Sequence, residues 1–180
     1  MPEFKLLNER LKFEGKITSI YESNYEGPNG EKVTREITRH PGAVCIVPVI
    51  ESKVVMIRQF RPATDDHLLE IPAGKRDVEG ESPDVTAHRE LREEVGLMSQ
   101  NLVELAQFYN SPGFCDEYSY CYLALDCEEV DDDRQGLEEQ YMSIKRVSLL
   151  EAASYIASGE IIDAKTIIGI SLAMQYLNER

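Results

Sequence analysis

The stretch Arg89-Glu90-Leu91-Arg92-Glu93-Glu94-Val95 restricts the folding of this chain more than any other. A helix turns about 100° per residue, which gathers Glu90, Glu93 and Glu94 within about a third of its circumference and assigns Val85, Leu91 and Val95 to the opposite side. Carboxylates one turn apart repel by a few tenths of a kcal/mol per pair, so arginines, solvent or cations must compensate them. Ser82-Pro83-Asp84 supplies a start, because serine caps, proline suits the first helical position and an early acid favours the dipole. Gly96 supplies the stop. A helix over residues 83–95 with an acidic face is therefore expected.

The flanking sequence sets the fold class. Residues 43–50 and 54–60 are β-branched runs split by Glu51-Ser52-Lys53, the pattern of a buried hairpin. Leu68 to Ile71 reads as a short strand feeding Pro72-Ala73-Gly74, and further strands are expected over 102–109 and 118–126. Helices are expected over 148–158, closed by Gly159, and over 163–177. Residues 11–39 read as two polar-faced strands around Gly27-Pro28-Asn29-Gly30. Strands and helices interleave without a strict period, which predicts an α/β fold with a mixed sheet covered by helices. For 180 residues this means one main domain, 41–180, with an N-terminal β elaboration, 1–40.

Charge narrows the partners. Nineteen basic against 33 acidic residues give a net charge of −14, a surface that repels nucleic acid and anionic membranes, so neither is expected as a partner. A few carboxylates gathered in one cleft recruit divalent cations and reverse the local sign, which keeps small phosphorylated ligands admissible. All-oxygen ligation from glutamates and a carbonyl beside Gly74 suits Mg²⁺ or Mn²⁺. Cys45, Cys115, Cys121 and Cys127 have no CxxC or zinc-finger spacing, and buried free thiols in a reducing, cytoplasmic setting are the expectation. The first ten residues lack a signal-peptide core, and the apolar run 43–50 is too short to span a membrane.

Gly74, Glu81 and Arg89 to Leu97 together resemble the Nudix box, GX5EX7REUXEEXGU. The seven residues between Glu81 and Arg89 match it, whereas six rather than five separate Gly74 from Glu81, which predicts a wider loop. Arg35-Glu36-Ile37, Gln59-Phe60-Arg61-Pro62, Leu69-Glu70-Ile71-Pro72-Ala73-Gly74 and Ser111-Pro112-Gly113 are similar to the ADP-ribose pyrophosphatase and nucleoside diphosphate sugar hydrolase branch. The resemblance implies an α/β/α sandwich with an N-terminal β-domain through which two chains pair as a homodimer. It also implies Mg²⁺- or Mn²⁺-dependent cleavage of a nucleoside diphosphate sugar to a nucleoside monophosphate and a sugar phosphate. By resemblance, Glu90 and Glu94 are main metal ligands, Glu93 shares a second ion and the Ala73 carbonyl completes the site, with Arg89 orienting the carboxylates. Arg61 falls near the pyrophosphate, Arg35 and Glu36 near the base or its ribose, Pro112 beside the cleft and Glu117 at the terminal sugar or a metal. Triphosphate cleavage and a non-catalytic binding module share the box and stay open as alternatives.

One position departs from the branch. Its members carry a catalytic glutamate on the loop before the strand leading to the penultimate helix, and alignment on Val147-Ser148 places that role, alongside Glu90 and Glu93, at Gln140. Glutamine accepts a hydrogen bond but takes no proton from water at neutral pH. Three readings follow: a residue altered so that substrate is held unhydrolysed, a slow enzyme, or a shift that gives the role to Glu138 or Glu139.

Overall fold

The computed structural model describes residues 3–134 and 136–179, with the Glu138 side chain outside the description. The chain divides into two compact units, Met1–Gly42 with Phe108–Tyr118, and Ala43–Gln107 with Ser119–Arg180.

The first unit is an antiparallel sheet of β1 (Lys5–Glu14), β2 (Ser19–Glu26) and β3 (Lys32–Arg39) in that spatial order. The reversal between β2 and β3 closes by a hydrogen bond from the Gly27 N–H to the Glu31 carbonyl, with Gly30 at a φ of 86° that suits glycine. β1 was not expected over its full length: every one of its residues is exposed, so its sequence shows no in-out alternation. Its register is held instead by polar cross-strand pairs, among them Arg10 with Glu22 and Asn24 with Asn8. Residues 108–118 join at β3, where Thr38 donates to the Phe114 carbonyl at 2.7 Å and Asp116 donates back to Thr38 at 3.1 Å.

The second unit is built on β4 (Ala43–Ile50), β5 (Lys53–Arg61), β6 (Asp66–Glu70), β7 (Ala73–Lys75), β8 (Leu97–Tyr109), β9 (Tyr118–Glu129) and β10 (Ser143–Ser148). Their sheet runs β10-β5-β4-β9-β8, with β6 on β5 and β7 on β4. It is mixed, because β4 pairs parallel to β9 and antiparallel to β5 and β7. Helix α1 (Pro83–Val95) and the helices α3 (Leu149–Ser158) and α4 (Ala164–Asn178) cover it, and a single turn, α2 (Leu137–Gln140), precedes β10.

Both faces of β4 are covered, which is why its sequence is apolar at almost every position. Val44 and Ile46 pack in the core with Ala87, Leu91 and Val95 of α1. Val47 lies on the other side, where Gly169 brings the α4 backbone so close that a Cβ there would sit 3.0 Å from Val47 and 2.8 Å from Ile71.

Three expectations need correction. Val85 is 49% exposed, not part of the buried stripe. Ala87, Leu91 and Val95 centre about 120° away from it on the helical wheel, and Glu94 stands only about 60° from that centre, so the acidic and apolar faces adjoin. Ser82 holds the N-cap position without a side-chain cap hydrogen bond. Of the four free cysteines, Cys45 and Cys121 are buried but Cys115 and Cys127 only half-buried.

Candidate active site

The turn after β6 and the acidic face of α1 meet within the second unit. The Ala73 N–H donates to Glu94 Oε2 at 2.9 Å, so the contact Ala73 makes is through its amide. Gly74 follows, and a Cβ built there would lie 1.8 Å from Cδ of Glu90. Only glycine lets the backbone approach that carboxylate so closely. Gly74→Ala is therefore expected to push the Glu90 carboxylate out of place, cutting kcat by about 10²-fold with little change in Tm, as steady-state kinetics and thermal melts on one sample would measure.

Burial dominates the electrostatics of this pair. It pushes Glu90 up to about 7, assisted by the fields of Glu93 and Glu139 and opposed by Arg89. It pushes Glu94 up to about 8, opposed by the Ala73 N–H and assisted by Glu90 and Glu139. Two buried carboxylates that resist ionising are strong acceptors for a cation that ionises them.

Arg89 organises the remaining acids. Its Nη1 donates to Glu90 Oε1 at 2.7 Å and Glu93 Oε2 at 3.1 Å, while Nη2 reaches Glu81 Oε2 at 3.2 Å. Glu81 is held below the usual carboxylate range by Arg89 and then by the Thr86 hydroxyl, which donates to it at 2.8 Å. One guanidinium thus spans three of the four box glutamates. The extra loop residue is absorbed in a turn, where the Glu81 N–H bonds the Val78 carbonyl and Gly80 takes a φ of 79°.

Among the described residues, no three His, Cys, Asp or Glu side chains converge in metal-ligating geometry. The chemistry of the donors nonetheless suits a hard divalent cation: oxygens only, two of them buried carboxylates, and a glycine cradle that keeps Glu90 against the backbone.

Arg61 stands at the end of β5, close enough to Glu94 that each contributes to the other's electrostatics. Its Nε and Nη2 donate to the two oxygens of Glu70 at 2.8 and 2.6 Å. Gln140 is exposed at the end of α2, and its N–H bonds the Gly136 carbonyl. Its neighbour Glu139 is half-buried, receives the Gly136 N–H at 2.9 Å and acts on both Glu90 and Glu94. Arg134 braces this turn, donating to the Met142 carbonyl at 3.2 Å. The second unit thus brings together Ala73, Glu90, Glu93, Glu94 and Arg61. Arg35, Glu36, Pro112 and Glu117 belong to the first unit. There, Arg35 and Glu36 are exposed on β3, Pro112 is exposed in a turn closed by Phe114 and Cys115 N–H bonds to the Ser111 carbonyl, and Glu117 is half-buried.

Sequence reasoning gave Glu70 and Lys165 no role, and it named Glu139 only as an alternative to Gln140. Glu70 carried a usable signal, since a carboxylate inside the apolar run Leu68 to Ile71 must find a partner when the strand is buried. Lys165 carried none, because its role arises from tertiary placement.

Comparison with known proteins gives four results. A model of the NUDIX domain matches residues 39–166. The chain is 39% identical over 176 residues to an ADP-ribose pyrophosphatase of Bacillus subtilis (strain 168), covering 97% of this chain and 92% of the relative. It is 38% identical over 176 residues, with the same coverages, to a methanol dehydrogenase activator of Bacillus methanolicus. The crystal structure of an ADP compounds hydrolase superposes with a TM-score of 0.85 over 99% of this chain and 95% of that one at 22% identity, which shows the shared fold.

Proposed function

This chain belongs to the Nudix family and is a pyrophosphohydrolase, and from that premise we propose that it hydrolyses nucleoside diphosphate sugars, ADP-ribose foremost, with Mg²⁺ or Mn²⁺. The observation that carries the reading is the buried Glu90 and Glu94 pair closed against the Ala73-Gly74 turn, with Arg61 beside it.

Glu90, Glu94 and Glu93 would hold the divalent ions, and the Ala73 carbonyl is assigned as a further oxygen. Bound there, the ions supply Lewis acidity at the pyrophosphate. Arg89 keeps the carboxylates in place, and Arg61 binds pyrophosphate oxygens. Glu139 is assigned as the base that takes the proton of the attacking water, because its charge already acts on Glu90 and Glu94 whereas Gln140 is exposed and cannot serve. Arg35 and Glu36 are assigned to the base or its ribose, and Pro112 and Glu117 to the loop at the sugar.

Two chains pair through the N-terminal β-domain in this reading. The exposed Phe4 and Phe13, 65% and 60% accessible, support it. Sedimentation giving a 20.4 kDa species alone would refute pairing. The free cysteines support a reducing, cytoplasmic setting.

A panel of ADP-ribose, ADP-glucose, GDP-mannose and a nucleoside triphosphate tests the substrate class. Nucleoside monophosphate and sugar phosphate are the expected products, while release of inorganic pyrophosphate from the triphosphate alone would replace the reading. Metal affinity should rise with pH between about 6 and 8.5, because a cation must displace protons from Glu90 and Glu94, which ionise near 7 and 8. Calorimetric titration of Mg²⁺ in two buffers of different ionisation enthalpy would detect the released protons, and a pH-independent affinity would count against those ligands.

A further inference from the structure

Glu70, which holds Arg61, is itself held by a second cation. Glu70 is 1% exposed, and its Oε2 also accepts from the Lys165 ammonium at the start of α4. Lys165 in turn donates to Asp163 Oδ2 at 2.9 Å. That oxygen caps α4 by accepting from the Thr166 N–H at 3.0 Å, and it receives the Thr166 hydroxyl at 2.6 Å. The Thr166 hydroxyl oxygen accepts from the Ile71 N–H, one residue beyond Glu70, at 3.0 Å. The network closes on itself and ties the end of β6 to the start of α4.

The geometry at Arg61 decides which edge serves a ligand. Its guanidinium has five N–H bonds, and Glu70 takes one from Nε and one from Nη2. Of the three that remain, one on Nη1 and one on Nη2 form the edge between these nitrogens, the pair that grips two oxygens of one phosphoryl group. The Arg61 side chain is 36% exposed, whereas its Glu70 partner is sealed at 1%. Two cations also share the Glu70 carboxylate, so its charge does not fall on Arg61 alone.

We propose that Lys165 and Glu70 are positioning residues for Arg61, fixing its guanidinium so that the Nη1–Nη2 edge takes the substrate pyrophosphate. This rests on the hydrolase reading above. Without Lys165 the Glu70 carboxylate pivots between fewer donors and Arg61 loses its fixed orientation, which weakens substrate binding before it affects the metals.

A double-mutant cycle tests it, using Lys165→Met, Arg61→Ala and the double variant, with ADP-ribose turnover and calorimetric binding of α,β-methylene ADP-ribose as readouts. Lys165→Met alone should raise KM and the Kd of the probe by about tenfold, the scale of one charge-assisted hydrogen bond, with kcat and Mg²⁺ affinity little changed. In the Arg61→Ala background the same substitution should add less than about twofold, because a residue acting through Arg61 has nothing left to position. Lys165→Arg should restore most of the lost affinity, and Glu70→Gln, which keeps the shape, should reproduce the KM effect. A full additional loss in the Arg61→Ala background, or no effect of Lys165→Met in a well-folded protein, overturns the positioning role. If the wild type hydrolyses no nucleoside diphosphate sugar, the parent reading falls, and the positioning proposal with it.

Discussion

Replacing Glu94 with glutamine is expected to lower kcat/KM by about 10³-fold while making the metal-free protein more stable at alkaline pH. The two effects have one cause. Glu94 is 3% exposed and receives one backbone N–H, from Ala73. Burial raises its folded value to about 8 from the ordinary 4.5. A carboxyl raised in this way contributes stability that is fully present below about 4.5 and is lost as pH climbs through about 8. Glutamine keeps the shape and the acceptor for Ala73 without ever ionising, so it escapes that loss. Melts in a chelator should therefore nearly coincide for the two proteins at pH 5, whereas at pH 9 the variant should melt about 3 °C or more above the wild type. Added Mg²⁺ should reverse the order at pH 9, since only the wild type retains the full ligand set. A variant destabilised at every pH would mean that Glu94 serves structure, not cation binding.

The second large effect separates two adjacent residues. Glu139→Gln is expected to reduce kcat by about 10²-fold or more at pH 7.5 with KM within a few-fold, the scale of a lost general base. Gln140→Glu should change kcat by less than about threefold on the same reasoning, since its side chain is exposed and Glu139 is the carboxylate whose field reaches the buried pair. The opposite pattern, a large gain from Gln140→Glu and indifference to Glu139→Gln, would return the role to position 140. That pattern would make this chain a slow enzyme by virtue of one amide.

The α1 boundaries came through intact because proline, glycine and apolar periodicity all mark them, and the buried hairpin of β4 and β5 came through because both of its faces are covered. Clustering of the glutamates was legible from angular spacing alone. Their burial was not, because a helical wheel says which residues share a face but not that Glu90 would lie under the Gly74 backbone. Val85 was misassigned for the same reason: its apolar character was visible, while the helix packs through Ala87, Leu91 and Val95. β1 was illegible because an exposed strand in a three-stranded sheet needs no alternation. The link from Glu70 to Lys165, 95 positions apart, is set only when β6 meets the start of α4.

In the proposed reaction the Glu90 and Glu94 pair takes up divalent cations for pyrophosphate cleavage. Phosphorus NMR of ADP-ribose mixed with the wild-type protein, run in Mg²⁺ and again in excess chelator, tests it most directly. AMP and ribose 5-phosphate are expected in Mg²⁺ and unchanged ADP-ribose in chelator. Equal cleavage in both samples, or cleavage in Mg²⁺ that survives Glu90→Gln and Glu94→Gln together, would contradict it.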